Sequence, residues 1–187
     1  PLAGEFFSMH SPYSQIPYLE KKLWYLTELW MNLPSILTHG PRQFDEEDFF
    51  AFQSLPSMAA NALTGRLQEV TDIVSQLPRF AGCRRMIDLG GGHGLYAMAL
   101  AIRNPDLIAT VFDLPQVVPL TCETISRYGM EKQVTAVGGD FFTDSIGFGF
   151  DIVLSSSNPS VKNDQHDPGD CIFSQYRRIF CKYPAWR

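Results

Sequence analysis

Apolar positions recur every three or four residues between Tyr18 and Leu37, where Leu19, Leu23, Leu26, Trp30 and Leu33 fall on one stripe. That spacing predicts an amphipathic helix, ended or kinked by Pro34. Ahead of it, residues 1–17 carry Pro1, Pro12 and Pro17 with little periodicity and read as an extended arm. Behind it, 38-THGPRQFDEED-48 reads as a turn and an acid-rich helix start that Asp45 can cap. Residues 49–77 predict one or two helices interrupted at Pro56, with Met58, Ala62, Leu67, Val70 and Val74 as a buried stripe. The pattern changes at 78-PRFAGCRR-85, a short polar connection.

Beyond that connection, strands and helices alternate. The strands are 85-RMIDL-89, 107-LIATVFDLP-115, 132-KQVTAVGGDFF-142 and 149-GFDIVLSSS-157. Between the first three lie the helices 95-LYAMALAIRNP-105 and 117-VVPLTCETISRYGM-130, the second with Gly129 near its end. Strands separated by helices at this spacing call for a parallel sheet with right-handed crossovers. The expected fold class is α/β, a Rossmann-like doubly wound parallel sheet preceded by a helical section, with the division at 1–80 and 81–187. From Asn158 the chain is polar and rich in breakers, and 171–187 offers one short helix with a basic, aromatic end. A four-stranded parallel sheet leaves an apolar edge uncovered, so the domain reads as incomplete.

Composition narrows the function classes. A chain of 187 residues with 45% hydrophobic and 19% charged residues is globular, and its formal net charge of −5 argues against nucleic acid as partner. No apolar run reaches the roughly 20 residues that cross a bilayer, and nothing resembles a signal peptide, so no membrane partner and a cytoplasmic location are expected. Cys83, Cys122, Cys171 and Cys181 form no C-x-x-C pair, and His10, His39, His93 and His166 are scattered. No metal site is expected from them, and idle or buried thiols are the plainer reading.

The chemistry concentrates in 86-MIDLGGGHGLYAMALA-101. Four glycines within five residues sit between an apolar strand and a helix, at the carboxyl end of the first strand, where open α/β sheets bind ligands. Glycine there permits positive φ and lets a ligand reach the backbone. Read from Gly92, the Gly-His-Gly start with Ala97 as the third small residue still fits a dinucleotide loop, so the glycines alone leave NAD open. Asp88 tips the balance, because a carboxylate suits a ligand bearing an ammonium and a sulfonium and repels a pyrophosphate. Asp113 and Asp140 stand at the next two strand ends. Asp113 can accept two hydroxyl protons or cap the helix ahead of Pro115.

The string D-L-G-G-G-H-G resembles motif I of the class I S-adenosylmethionine-dependent methyltransferases. With 49-FFAFQSLPSMAANAL-63, 111-VFDLPQVV-118 and 139-GDFF-142, residues 45–157 resemble the small-molecule O-methyltransferases that include the caffeic acid and hydroxyindole enzymes. The resemblance implies an enzyme that moves a methyl group from S-adenosylmethionine to a hydroxyl of a small, aromatic acceptor, leaving S-adenosylhomocysteine. It implies cofactor contacts at Asp88, Gly90, Gly91, Gly92, Gly94, Asp113, Leu114, Asp140, Phe141 and Ser156. It also implies a homodimer and an acceptor pocket lined by the front helices, with Trp30, Met31 and Met58 as candidates beside Trp24 and Phe52. By helical spacing alone these side chains read as core.

The family's base is a His in a His-Asp-Trp string just past the fourth strand. Ungapped, Ser160 stands there; a six-residue gap brings His166 onto it, with Pro168 in place of the tryptophan, and an exposed loop histidine is the alternative. Family chains are also longer, with a winged-helix region in front and three further strands behind. Two rival readings follow, a nicotinamide-dependent reductase and a cofactor-binding or dimerisation protein without catalysis.

Overall fold

The computed structural model describes residues 2–40, 54–140 and 143–156. These divide into two compact units, residues 1–67 and 68–187, a split earlier in the chain than the connection at 78–85.

The first unit is helical. Helix α1 (Leu2–Phe6) stands where an extended arm is expected, and α2 (Ile16–Trp24) opens with Pro17 in its first turn, where a missing N–H costs nothing. The chain continues as a π-helical stretch, Tyr25–Trp30, and then as α3 (Leu33–His39). Pro34 therefore starts a helix rather than ending one. Helix α4 (Leu55–Asn61) packs against α2, and Lys21 Nζ donates to Ser54 Oγ at 3.0 Å while Gln15 Nε2 donates to the Ala60 carbonyl at 3.0 Å.

The expected inward stripe of α2 is reversed. Leu19, Leu23, Leu26, Trp30 and Leu33 are exposed, while Pro17, Lys21, Trp24, Tyr25 and Leu29 are half-buried. Two apolar rows run along this helix, and the wider π turns advance the phase of the second half. The core reading of the aromatic and methionine candidates also fails for Trp30 at 67%, Met31 at 71% and Met58 at 44% exposure. In the row that begins at Met58, Ala62 and Leu67 are buried.

Helix α5 (Leu67–Ser75) leads through a 3-10 turn, Phe80–Gly82, into the α/β part. Here β1 (Arg85–Leu89), α6 (Leu95–Arg103), β2 (Ile108–Asp113), α7 (Val118–Arg127), β3 (Val134–Gly138) and β4 (Ile152–Ser155) follow in turn. Among the described residues all pairings are parallel, in the order β3-β2-β1-β4, as the alternating pattern requires. Strand order reverses between β1 and β4, which is where doubly wound sheets open a crevice at their carboxyl ends.

Strand alternation assigns the two faces. Ile87, Leu89, Phe112 and Val153 pack with Ile146 on one of them. Asp88 takes the other, in line with Met86 on its own strand and opposite Val111 and Leu154. Helix α6 is buried almost all round because six of its nine residues lie against the interior. Asn104 ends α6 and ties it down, donating from Nδ2 to the carbonyls of Phe80 (2.9 Å) and Cys83 (3.0 Å). Gly129, at φ 65°, closes α7 as its sequence position suggests. Strands β3 and β4 are shorter than the apolar runs that announce them.

Candidate functional site

The loop between β1 and α6 is fixed from three sides. Gly90 N–H donates to the Phe112 carbonyl at 2.7 Å, which extends the β1–β2 ladder by one step. Gly92 N–H donates to Asp113 Oδ2 at 2.7 Å, and the Gly92 carbonyl accepts the Thr121 hydroxyl at 2.6 Å. Gly92 and Gly94 have φ values of 51° and 71°, in the left-handed region where a side chain is strained. At Gly91 the constraint is proximity: a Cβ there would lie 2.7 Å from Asp88 Cγ and Oδ2 and 2.9 Å from Val111 Cγ1. The loop thus rests its bare backbone on the Asp88 carboxyl group.

Asp113 is a strut of this loop. Its Oδ1 accepts the Leu114 N–H at 2.8 Å while Oδ2 holds Gly92. Each carboxylate oxygen has a second lone pair, so the group can still accept from a ligand. The helix-capping role fails, because α7 begins only at Val118, with Val117 in the cap position. Burial raises the Asp113 pKa, and the two backbone N–H groups oppose that rise.

Asp88 has a different environment. It is 1% exposed, and neither carboxyl oxygen has a hydrogen-bond partner among the described residues. Burial, and then the neighbouring Asp113 charge, push its pKa up to about 8. A buried carboxyl without donors favours its neutral form, and a cation nearby reverses that preference. An orphaned acid beneath a glycine loop, next to a second carboxylate, is an arrangement whose electrostatics a positive charge would balance.

Asp140 lies two residues past β3, in the turn that carries the strand end. Its N–H donates to Asp144 Oδ2 at 2.9 Å, and Gly139 N–H donates to the Asp113 carbonyl at 2.9 Å. The ends of β2 and β3 are therefore bonded to each other, and Asp140 is half-buried beside them. Leu114 is exposed, and Ser156 is half-buried just beyond β4. Trp30, Met31 and Met58 belong to the helical unit. Phe52, Phe141, Ser160 and His166 lie outside the described residues.

Three residues of the site's frame are not singled out by the sequence reading. Thr121 is a polar residue at a fully buried position of α7, and its proximity to Gly92 depends on a contact 29 residues distant. His93 is buried, its Nδ1 accepts the Leu95 N–H at 3.1 Å, and burial holds its pKa down at about 4. The imidazole is therefore neutral and satisfies one of the free N–H groups at the start of α6. Asp144 supports the Asp140 turn. A threonine amid apolar residues in a helix was the one available signal.

Comparison with known proteins places this loop and sheet in a defined family. The chain is 37% identical over 136 residues to an uncharacterised protein of Methanocaldococcus jannaschii, a match that covers 72% of this chain and 36% of that protein. It is 41% identical over 76 residues to the 3-hydroxy-5-methyl-1-naphthoate 3-O-methyltransferase of Streptomyces sahachiroi, covering 41% of this chain and 22% of that one. The structure of an O-methyltransferase family protein from Burkholderia thailandensis superposes with a TM-score of 0.63 at 26% identity, covering 81% of this chain and 47% of the other. The chain spans less than half the length of each of these relatives. Residues 44–164, more than half of the chain, match the O-methyltransferase domain, and the chain belongs to that family.

Proposed function

We propose that the protein transfers a methyl group from S-adenosylmethionine to a hydroxyl of a small aromatic molecule. The observation that carries this reading is the pair Asp88 and Asp113 around the glycine loop, one carboxyl unpartnered below it and the other holding Gly92 at its side. Two acids so placed favour an ammonium and a sulfonium and disfavour the pyrophosphate of a dinucleotide. Family membership supports the same reaction class, and the Streptomyces relative is named for methylation at a hydroxyl of an aromatic acid.

In this reading the backbone of Gly90, Gly91, Gly92 and Gly94 supports the amino acid end of the cofactor. Asp113, with Leu114 beside it, accepts the ribose hydroxyls, and Asp140 and Phe141 border the adenine, with Ser156 at the crevice. When bound, S-adenosylmethionine supplies an electrophilic methyl on sulfur. An acceptor hydroxyl held in line with that methyl would take it as the carbon–sulfur bond breaks, and S-adenosylhomocysteine would be left. His166 takes the hydroxyl proton, a step that typically contributes about 10²–10⁴ in rate. Trp30, Met31 and Met58 face the acceptor from the helical section (1–80), the α/β section (81–187) holds the cofactor, and the protein works as a cytoplasmic homodimer. Among the described residues no helix is long and apolar enough to cross a membrane.

Calorimetric titration with S-adenosylhomocysteine and with NAD tests the reading. Binding of the first is expected, followed by methylation of one or more members of a phenol panel. Binding of NAD alone overturns it.

A further inference from the structure

Asp88 is the one described residue whose buried side-chain oxygens lack any hydrogen-bond partner. Its surroundings explain why it would resist ionisation. Met86 precedes it on the same face, β2 sets Val111 beside it, and β4 sets Leu154 on the other side. The Gly91 backbone covers it, near enough that even a methyl group there would meet Asp88 Cγ at 2.7 Å. The titratable group acting on it from β2 is Asp113, a like charge, while the loop's own His93 is buried and neutral. The neighbouring strands bring no titratable side chain at the paired positions, and no described cation offsets the acid.

We propose that Asp88 is a neutral carboxylic acid in the ligand-free protein, and that a ligand bearing an ammonium or sulfonium is taken up on the glycine loop in exchange for the Asp88 proton. This rests on the cofactor reading above and adds a proton to its binding equation. The O–H bond of Asp88 breaks, the proton passes to solvent, and the carboxylate left behind is neutralised by the ligand's positive charge. The new negative charge sits against the ligand's positive group, so a buried acid is ionised only when its counter-ion is present. Pushed up to about 8 by burial and by Asp113, the group is mostly protonated at neutral pH.

The test is titration calorimetry of the full chain with S-adenosylhomocysteine in two buffers of different ionisation enthalpy. Near pH 7 close to one proton, about 0.9, is released per ligand bound, and affinity tightens about tenfold per pH unit from about pH 6 to 7, levelling off above about pH 8. Asp88→Asn binds with no proton release and a flat pH profile. Should that variant fail to fold, infrared spectroscopy of the unaltered protein serves instead: the C=O stretch of a protonated, buried carboxyl is present near neutral pH and disappears on adding S-adenosylhomocysteine. Binding with no proton release and a pH-independent Kd overturns the exchange and leaves the methyl-donor reading standing. Failure to bind S-adenosylhomocysteine at any pH overturns both.

Discussion

The hydroxyl of Thr121 donates to the carbonyl oxygen of Gly92 at 2.6 Å, so helix α7 grips the same glycine that Asp113 holds through its N–H. Gly92 is thereby held at both its N–H and its C=O. The second hydroxyl contact, to the Val117 carbonyl at 3.2 Å, keeps the threonine oriented within its own helix. In the proposed function the loop meets the cofactor through its backbone, which must then be set beforehand, and this pair of bonds sets it.

Thr121→Val keeps the shape and removes the donor, which leaves a buried carbonyl without its partner and costs about 1–3 kcal/mol. Urea unfolding should show a lower midpoint with an unchanged slope, and affinity for S-adenosylhomocysteine should fall as well. Thr121→Ser restores the donor and should recover most of the affinity. Equal affinity in the valine variant would mean that the clamp does not position the loop.

Gly91→Ala places a methyl 2.7 Å from the Asp88 carboxyl carbon and 2.9 Å from Val111 Cγ1, both on packed strands that have no room to yield. Overpacking of this kind costs about 1–3 kcal/mol, and it should weaken cofactor binding further by lifting the loop. Gly82→Ala, where nothing lies within 4 Å, is the matched control and should change the melting temperature little. Similar losses in both variants would refute the contact with Asp88.

The sheet was legible in the sequence because buried parallel strands are short apolar runs bounded by breakers, and 85-RMIDL-89 and 107-LIATVFDLP-115 are such runs. The glycine loop and the acids at its ends were legible for the same local reason. What failed was any feature set by a contact between distant segments. The side of α2 that turns inward depends on α4 and on the π turns at Tyr25–Trp30, and two apolar rows competed for it. Of the two roles that its place ahead of Pro115 offers Asp113, capping is the one that fails, because its oxygens accept from Leu114 and from Gly92, 21 residues earlier in the chain.

Asn104 carries a separate structural prediction. Its Nδ2 serves two carbonyls, those of Phe80 and Cys83, and its Oδ1 accepts the Asp106 N–H at 3.2 Å. Asn104→Ala should lower stability by about 1–3 kcal/mol, read by chemical unfolding, because two carbonyls lose their donor. Asn104→Asp should cost more, since a carboxylate would face the same two oxygens. Aspartate performing as well as asparagine would refute the assigned bonds.

Two buried groups of the site frame set an unusual dependence of stability on pH. Asp88 goes from an ordinary 3.8 when exposed to about 8 in the folded chain, so between those values the folded state holds more protons than the unfolded one. Stability then falls as pH rises, by about 1.4 kcal/mol per unit. His93 goes the other way, from 6.5 down to about 4, so over that window the unfolded state holds more protons and stability rises with pH. The slopes of Asp88 and His93 oppose one another from about pH 4 to 6.5, where the raised Asp113 adds to the fall, and from about 6.5 to 8 that of Asp88 continues unopposed by His93. The ligand-free protein should therefore show a level to gently falling melting temperature through mildly acid pH and a decline from about pH 6.5 to 8. Asp88→Asn should abolish the decline and expose the rise due to His93; His93→Gln should leave a decline that begins near pH 4. A wild-type melting temperature that stays level or climbs between neutral and mildly alkaline pH would show that Asp88 is ionised in the folded chain.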